Sequence, residues 1–224
     1  MAKNPKNVEL QENEVDVAMS KTEKFLADKK NQKNILMAIV AVVLVVGAFM
    51  GVSQCNSSKN AEAQDQVWES ELLFSQGQYE QAVEGFVSVA DEYGSTKAGN
   101  MAKAYAGLCY KNMGNYEEAI NYLADYSGND NVVAPAILCA LGDCLVNKEG
   151  ATEADYKKAA ETFEKAAKAA NTAEYTPLYL KKAGIAYEAA GEKSSALKVY
   201  QAIKDNWAET VVAQTIDKYI ERAQ

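Results

Sequence analysis

Cys55, Cys109, Cys139 and Cys144 are the side chains here best suited to nucleophilic, redox or metal chemistry, and their arrangement argues against all three. Cys139 and Cys144 stand five apart, not in the Cys-x-x-Cys spacing of a redox pair or a metal site. The chain has no histidine. That removes Ser-His-Asp and Cys-His nucleophile systems and most zinc sites, which need an imidazole as base or ligand. Carboxylate pairs can do acid–base work, but the 31 acidic residues scatter over what read as helix surfaces, where solvation is their ordinary role. No catalytic residue, no metal site and no cofactor is expected, and the chain reads as a non-enzyme. Buried thiols are the favoured reading of the cysteines, with a disulfide the alternative that an oxidising compartment permits.

Charge narrows the partners. The net charge is −8. The first 34 residues carry seven lysines against six acids, and the chain beyond the apolar run carries 16 basic residues against 25 acidic ones. No basic stripe exists to neutralise phosphates, so nucleic acid is not an expected partner. The same acidity keeps this part from lying flat on an anionic bilayer.

The elements that would position any site begin with an anchor. Residues 35–53 hold no charge and are almost all Ile, Leu, Val, Met, Ala, Phe or Gly. As a helix they span about 28 Å, close to the thickness of a bilayer core. Lys21, Lys24, Lys29, Lys30 and Lys33 precede this run, and only Lys59 lies close after it, so the lysine-rich side is expected in the cytoplasm. No Ala-x-Ala site follows, and in Val52-Ser53-Gln54-Cys55 the Gln54 stands where a lipoprotein site needs a small residue, so an uncleaved anchor is expected. Gly47 and Gly51 form a Gly-x-x-x-Gly pair, the spacing by which two membrane helices touch, so a homodimer is an open reading. The leader reads as partly disordered, with Ser20 and Glu23 spaced as a helix cap.

Beyond the anchor the chain repeats itself. Gly77-Gln78-Tyr79-Glu80-Gln81-Ala82 returns as Gly114-Asn115-Tyr116-Glu117-Glu118-Ala119, with fainter copies at Tyr156–Ala159 and Gly191–Ala196. Seven residues upstream, a second pattern sets Gly107 with Tyr110, Gly142 with Leu145, and Gly184 with Tyr187. Each copy reads as a helix A, a turn and a helix B. Gly107, Gly142 and Gly184 inside helix A allow close helix approach, with Ala82, Ala119, Ala159 and Ala196 expected to face it. Phe86, Leu123, Phe163 and Tyr200 follow one turn further along helix B. Residues 147–155 read as a lengthened turn in the third copy. Val212, Ile216, Tyr219 and Ile220 at helical spacing predict a capping helix over 211–224.

These offsets resemble the tetratricopeptide repeat (TPR), in four copies near 63–96, 100–133, 135–173 and 177–210. The fold expected is all-α: one N-terminal transmembrane helix, then a right-handed superhelical solenoid of about four TPR helix pairs and a C-terminal capping helix. The organisation is a leader at 1–34, an anchor at 35–54, a linker at 55–62, repeats at 63–210 and the cap at 211–224. The resemblance further implies a protein-binding groove lined by Trp68, Glu71, Phe74, Tyr105, Lys111, Asn112, Asp143, Asn147, Lys181, Lys182 and Glu188. It lacks the ordered Lys/Asn/Arg set with which some family members clamp a peptide carboxylate, and packing of Trp68 and Tyr105 between helices stays an equal alternative. The layout is also similar to the YfgM-like single-pass proteins, ancillary subunits of the bacterial Sec translocon. That likeness implies a scaffold in the inner membrane, its N-terminus cytoplasmic and its repeats periplasmic, holding protein partners such as the translocon and a membrane-bound chaperone.

Overall fold

The computed structural model describes the backbone of residues 29–224, and side chains from Gln54 onward together with Met37, Ala41, Val42, Leu44 and Val45. The expectations for 1–28, the cap at Ser20 among them, lie outside the described residues. Every regular element among the described residues is a helix: α1 Lys29–Ser75, α2 Tyr79–Tyr93, α3 Lys97–Asn112, α4 Tyr116–Asp125, α5 Val133–Asn147, α6 Glu153–Ala170, α7 Thr176–Ala189, α8 Lys193–Asn206, α9 Val211–Gln214 and α10 Asp217–Ala223. The chain divides into two compact units, Met1–Asn56 and Ser57–Gln224.

In the first unit, α1 carries the uncharged run, and Met37, Val42, Leu44 and Val45 are 60%, 61%, 67% and 69% exposed. Among the described residues no helix is long and apolar enough to cross a membrane. Most side chains of 35–53, and the surroundings of Gly47 and Gly51, fall outside the described residues.

In the second unit, α2 to α8 each pack on the next, α3 also touches α5, and α9 and α10 lie against α7 and α8. The turns within pairs share one mechanism. Gly77, Gly114 and Gly191 have φ of +75°, +81° and +74°, the left-handed region where a side chain is strained. Around each, the same two bonds close the helix end: Gly77 N donates to Phe74 O (3.0 Å) and Gln78 N to Leu73 O (2.9 Å), and Gly114–Asn115 and Gly191–Glu192 repeat them. This is the Schellman closure, which satisfies carbonyls that a helix end leaves orphaned. The third pair departs from it. There α5 ends at Asn147, Gly150 turns the chain at φ +65°, and Thr152 opens α6 with a reciprocal cap to Asp155.

The helix-A glycines work as spacers, but not against the alanines. A Cβ on Gly107 would come within 2.6 Å of Leu123 Cγ, one on Gly142 within 2.6 Å of Phe163 Cε1, and one on Gly184 would strike the Tyr200 ring. The alanines, all fully buried, sit one turn earlier, and it is the large residue four positions later that lies across the glycine. The first pair inverts the arrangement. Ser70 holds the glycine position, is 5% exposed, and leaves no room for a side chain at Gly85 of α2. The hydrophobic core runs through the stack: Val67, Phe86, Val89 and Tyr93 with Cys109 at one end, and Leu123, Leu145, Phe163, Tyr200 and Ile203 at the other.

The cap over 211–224 is not one helix. It breaks into α9 and α10 around Thr215 and Ile216, where Thr215 N donates to Val212 O and Ile216 N to Ala213 O at three-residue spacing. The break brings Ile216 to complete burial, and Val212, Tyr219 and Ile220 pack partly buried beside it. Burying these four on α7 and α8 outweighs continuing a short, weakly stable helix.

Candidate protein-binding groove

Two hollows open between successive A helices. The first, about 250 Å³, lies between the C-terminal part of α1 and α3, with Phe86 of α2 at its base; Val67, Glu71, Met101 and Tyr105 line it. The second, about 130 Å³, lies between α5 and α7 over Phe163 of α6, lined by Asp143, Val146, Lys182 and Ile185. They share three lining positions of the repeat, Glu71 with Asp143, Phe86 with Phe163 and Tyr105 with Lys182, and extend from these toward opposite ends of the A helices. Each is a residue-sized recess between two rigid helices, the kind of concavity that takes one side chain of a bound segment.

Their electrostatics differ. In the second hollow Lys182 Nζ lies 2.6 Å from Asp143 Oδ1 and 5.4 Å over the Phe163 ring. Burial alone would lower the Lys182 amine, but hydrogen bonds to Asp143 and Cys139 outweigh it and raise it, so the ammonium form is secure. In the first hollow Tyr105 stacks on Phe86 with ring centres 4.9 Å apart and planes 11° from parallel. Phe74 meets Tyr105 edge-on at 5.2 Å, and Tyr79 at 5.3 Å.

The family model described as tetratricopeptide repeat matches residues 105–128, from the middle of α3 to just past α4. That match spans one helix pair of the stack. The fold of the chain is similar to a crystal structure of nearly identical TPR-like repeats from Podosopora anserina assigned as kinesin light chain, at 15% identity and a TM-score of 0.53, covering 73% of this chain and 86% of that one. A single-substitution variant of that protein matches equally, at 15% identity and a TM-score of 0.53, with 73% and 85% covered. No curated protein matches the chain.

The candidate lining residues do not all reach one surface. Glu71, Tyr105, Asp143 and Lys182 converge on the two hollows. Trp68 projects from α1, 63% exposed, so it does not pack between helices, while Tyr105 is half-buried against Phe86 and still lines its hollow. Phe74 belongs to the aromatic cluster beneath it. Asn112 and Asn147 turn back on their own helices, each donating from Nδ2, to Leu108 O (2.8 Å) and Asp143 O (2.7 Å). Lys111 is half-buried on α3, where its charge acts on the thiols of Cys139 and Cys144.

Lys181 and Glu188 serve another purpose. Lys181 Nζ sits 4.8 Å from the Tyr219 ring centre, and Glu188 accepts from Arg222 Nε at 3.2 Å. They dock the C-terminal element rather than line a hollow. Met101 and Ile185, both hollow-lining, went unnoticed in the sequence. The signal for Ile185 was available: it directly follows the helix-A glycine, as Glu71 follows Ser70 and Asp143 follows Gly142.

The cysteines are free thiols. Cys109 and Cys144 are wholly buried, which pushes their thiols up to about 12 and about 11, so thiolate is negligible near neutral pH.

Proposed function

We propose that this chain is a membrane-tethered scaffold that binds a protein segment along its A helices, on the extracytoplasmic side of a bacterial inner membrane. The observation that carries the binding reading is the pair of hollows between successive A helices, of about 250 and 130 Å³, built on three shared positions of the repeat. Repeat surfaces of this kind present extended concave faces suited to protein partners. The tether rests on the uncharged run 35–53 and the orientation on the lysines before it. The resemblance to YfgM-like proteins supports a place beside the Sec translocon, recruiting a chaperone or an exported chain.

In-cell photocrosslinking from positions 68, 105 and 182, with captured proteins identified by mass spectrometry, tests this. Positions 105 and 182, on the hollows, should capture protein, including a translocon subunit or a membrane-bound chaperone. Capture of lipid alone, or of nothing, removes the groove reading; capture of proteins unrelated to export keeps the scaffold and removes the translocon.

A further inference from the structure

The chain shows, in one hollow, what the other lacks. Repeat alignment sets Glu71 at the position of Asp143, Phe86 at that of Phe163, and Tyr105 at that of Lys182. In the second hollow carboxylate, aromatic ring and ammonium are all supplied by the chain, with Lys182 reaching Asp143 across Phe163. The first hollow keeps the carboxylate and the ring and exchanges the cation for a tyrosine stacked on that ring. Among the described residues Glu71 has no ion-pair partner and is exposed. Lys97 stands on the lining of the same hollow and, among the described residues, pairs with no carboxylate. The first hollow is about twice the size of the second, 250 against 130 Å³, because it extends along α3 past Met101 to Lys97.

We infer that the first hollow receives an arginine side chain of the bound segment, its guanidinium lying against Tyr105 and forked onto Glu71. A planar, weakly hydrated guanidinium suits both contacts better than a lysine, because it stacks on aromatic faces and pairs with carboxylates through two parallel N–H donors. The surrounding charge favours it. Residues 57–130 carry four lysines against twelve acids, whereas 176–224 carry seven basic residues against six acidic. A basic segment is therefore steered to the first two repeats and not to the last. The inference rests on the groove reading proposed above.

The test is a ¹H–¹⁵N titration of the full-length chain in detergent micelles with the peptide Ac-Gly-Arg-Gly-NH₂, against its neutral citrulline counterpart. Saturable shifts are expected at the amides of Ala98, Met101 and Tyr105, roughly tenfold weaker for citrulline and for Glu71→Gln, the loss typical of one charge-assisted hydrogen bond. Glu80→Gln makes the same charge change outside the hollow and should leave binding intact. Tyr105→Lys places in the first hollow the residue that fills the second, and should abolish the shifts while the remaining spectrum stays unchanged. Equal responses to arginine and citrulline, or equal weakening by Glu71→Gln and Glu80→Gln, would overturn the inference in favour of diffuse acidic attraction. Protein capture at position 105 without an arginine response sinks this inference and leaves the scaffold standing; an arginine response without protein capture does the reverse.

Discussion

Tyr200 lies across Gly184 with its ring fully buried, and its hydroxyl, though near Glu188 and Arg222, makes no well-formed hydrogen bond with any described residue. Burial pushes its phenol up, and nearby Glu188 adds to that while Arg222 opposes it. The other three repeats put Phe86, Leu123 and Phe163 at this position, none with a polar atom to bury. Tyr200→Phe should therefore be neutral or stabilising by up to about 1 kcal/mol in urea unfolding, since it removes an unsatisfied buried hydroxyl and keeps the ring. Gly184→Ala should act in the opposite sense. Its methyl would enter the ring that Tyr200 presents, and overpacking of this kind costs about 1–3 kcal/mol, more than the gain of up to about 1 kcal/mol from better helix propensity. A neutral Gly184→Ala would mean that the ring moves aside freely, against the close packing described. That helix A needs a glycine was legible in the sequence. Which residue the glycine accommodates was not, because the alanine and the large side chain four residues later lie on the same face of helix B.

At the scale of the element, the third repeat replaces a glycine closure with a charged one. Asp155 Oδ2 accepts from Thr152 N (3.0 Å) and Thr152 Oγ1 (2.7 Å), and Lys148 Nζ lies 2.9 Å from Oδ1. The Thr152 backbone N–H, then Lys148 and the Thr152 hydroxyl, hold the Asp155 carboxyl down at about 2 from its ordinary 3.8. Because the folded value lies below the unfolded one, the stabilisation is complete above the unfolded value and is lost as pH falls from 3.8 toward 2. Asp155→Asn should lower the melting temperature at neutral pH, and its gap to the wild type should close over that acidic window. A gap independent of pH would mean that the carboxylate charge contributes nothing to the turn. Thr152→Ala, which removes the N-cap itself, should cost about 1 kcal/mol. The long polar turn was readable from its composition, since Gly150 and Thr152 are turn and cap residues. The break between α9 and α10 was not: Val212, Ile216, Tyr219 and Ile220 keep the same helical spacing whether the helix is continuous or interrupted, and only the depth to which Ile216 is drawn in decides between the two.

For the whole molecule, the proposed tether fixes a side for the repeats, and the cysteines are placed to report it. Cys55 lies two residues past the uncharged run and is exposed. Cys109 and Cys144 are buried with thiols pushed up by burial, so neither reacts in the folded protein. Cys139 is half-buried, and burial pushes its thiol up against the pull of Lys182. In a Cys139→Ala background, labelling with a maleimide that cannot cross the inner membrane therefore reads Cys55 alone. If the anchor is oriented as the lysines before it direct, Cys55 is labelled in cells whose outer membrane alone has been opened, and lysis adds no further label until the protein is unfolded. Labelling only after lysis would place the repeats in the cytoplasm and remove periplasmic partners from consideration. The acidic first two repeats make this outcome matter for binding as well. Their twelve acids against four lysines would select among whichever basic segments share their compartment, with an affinity that weakens as salt screens them.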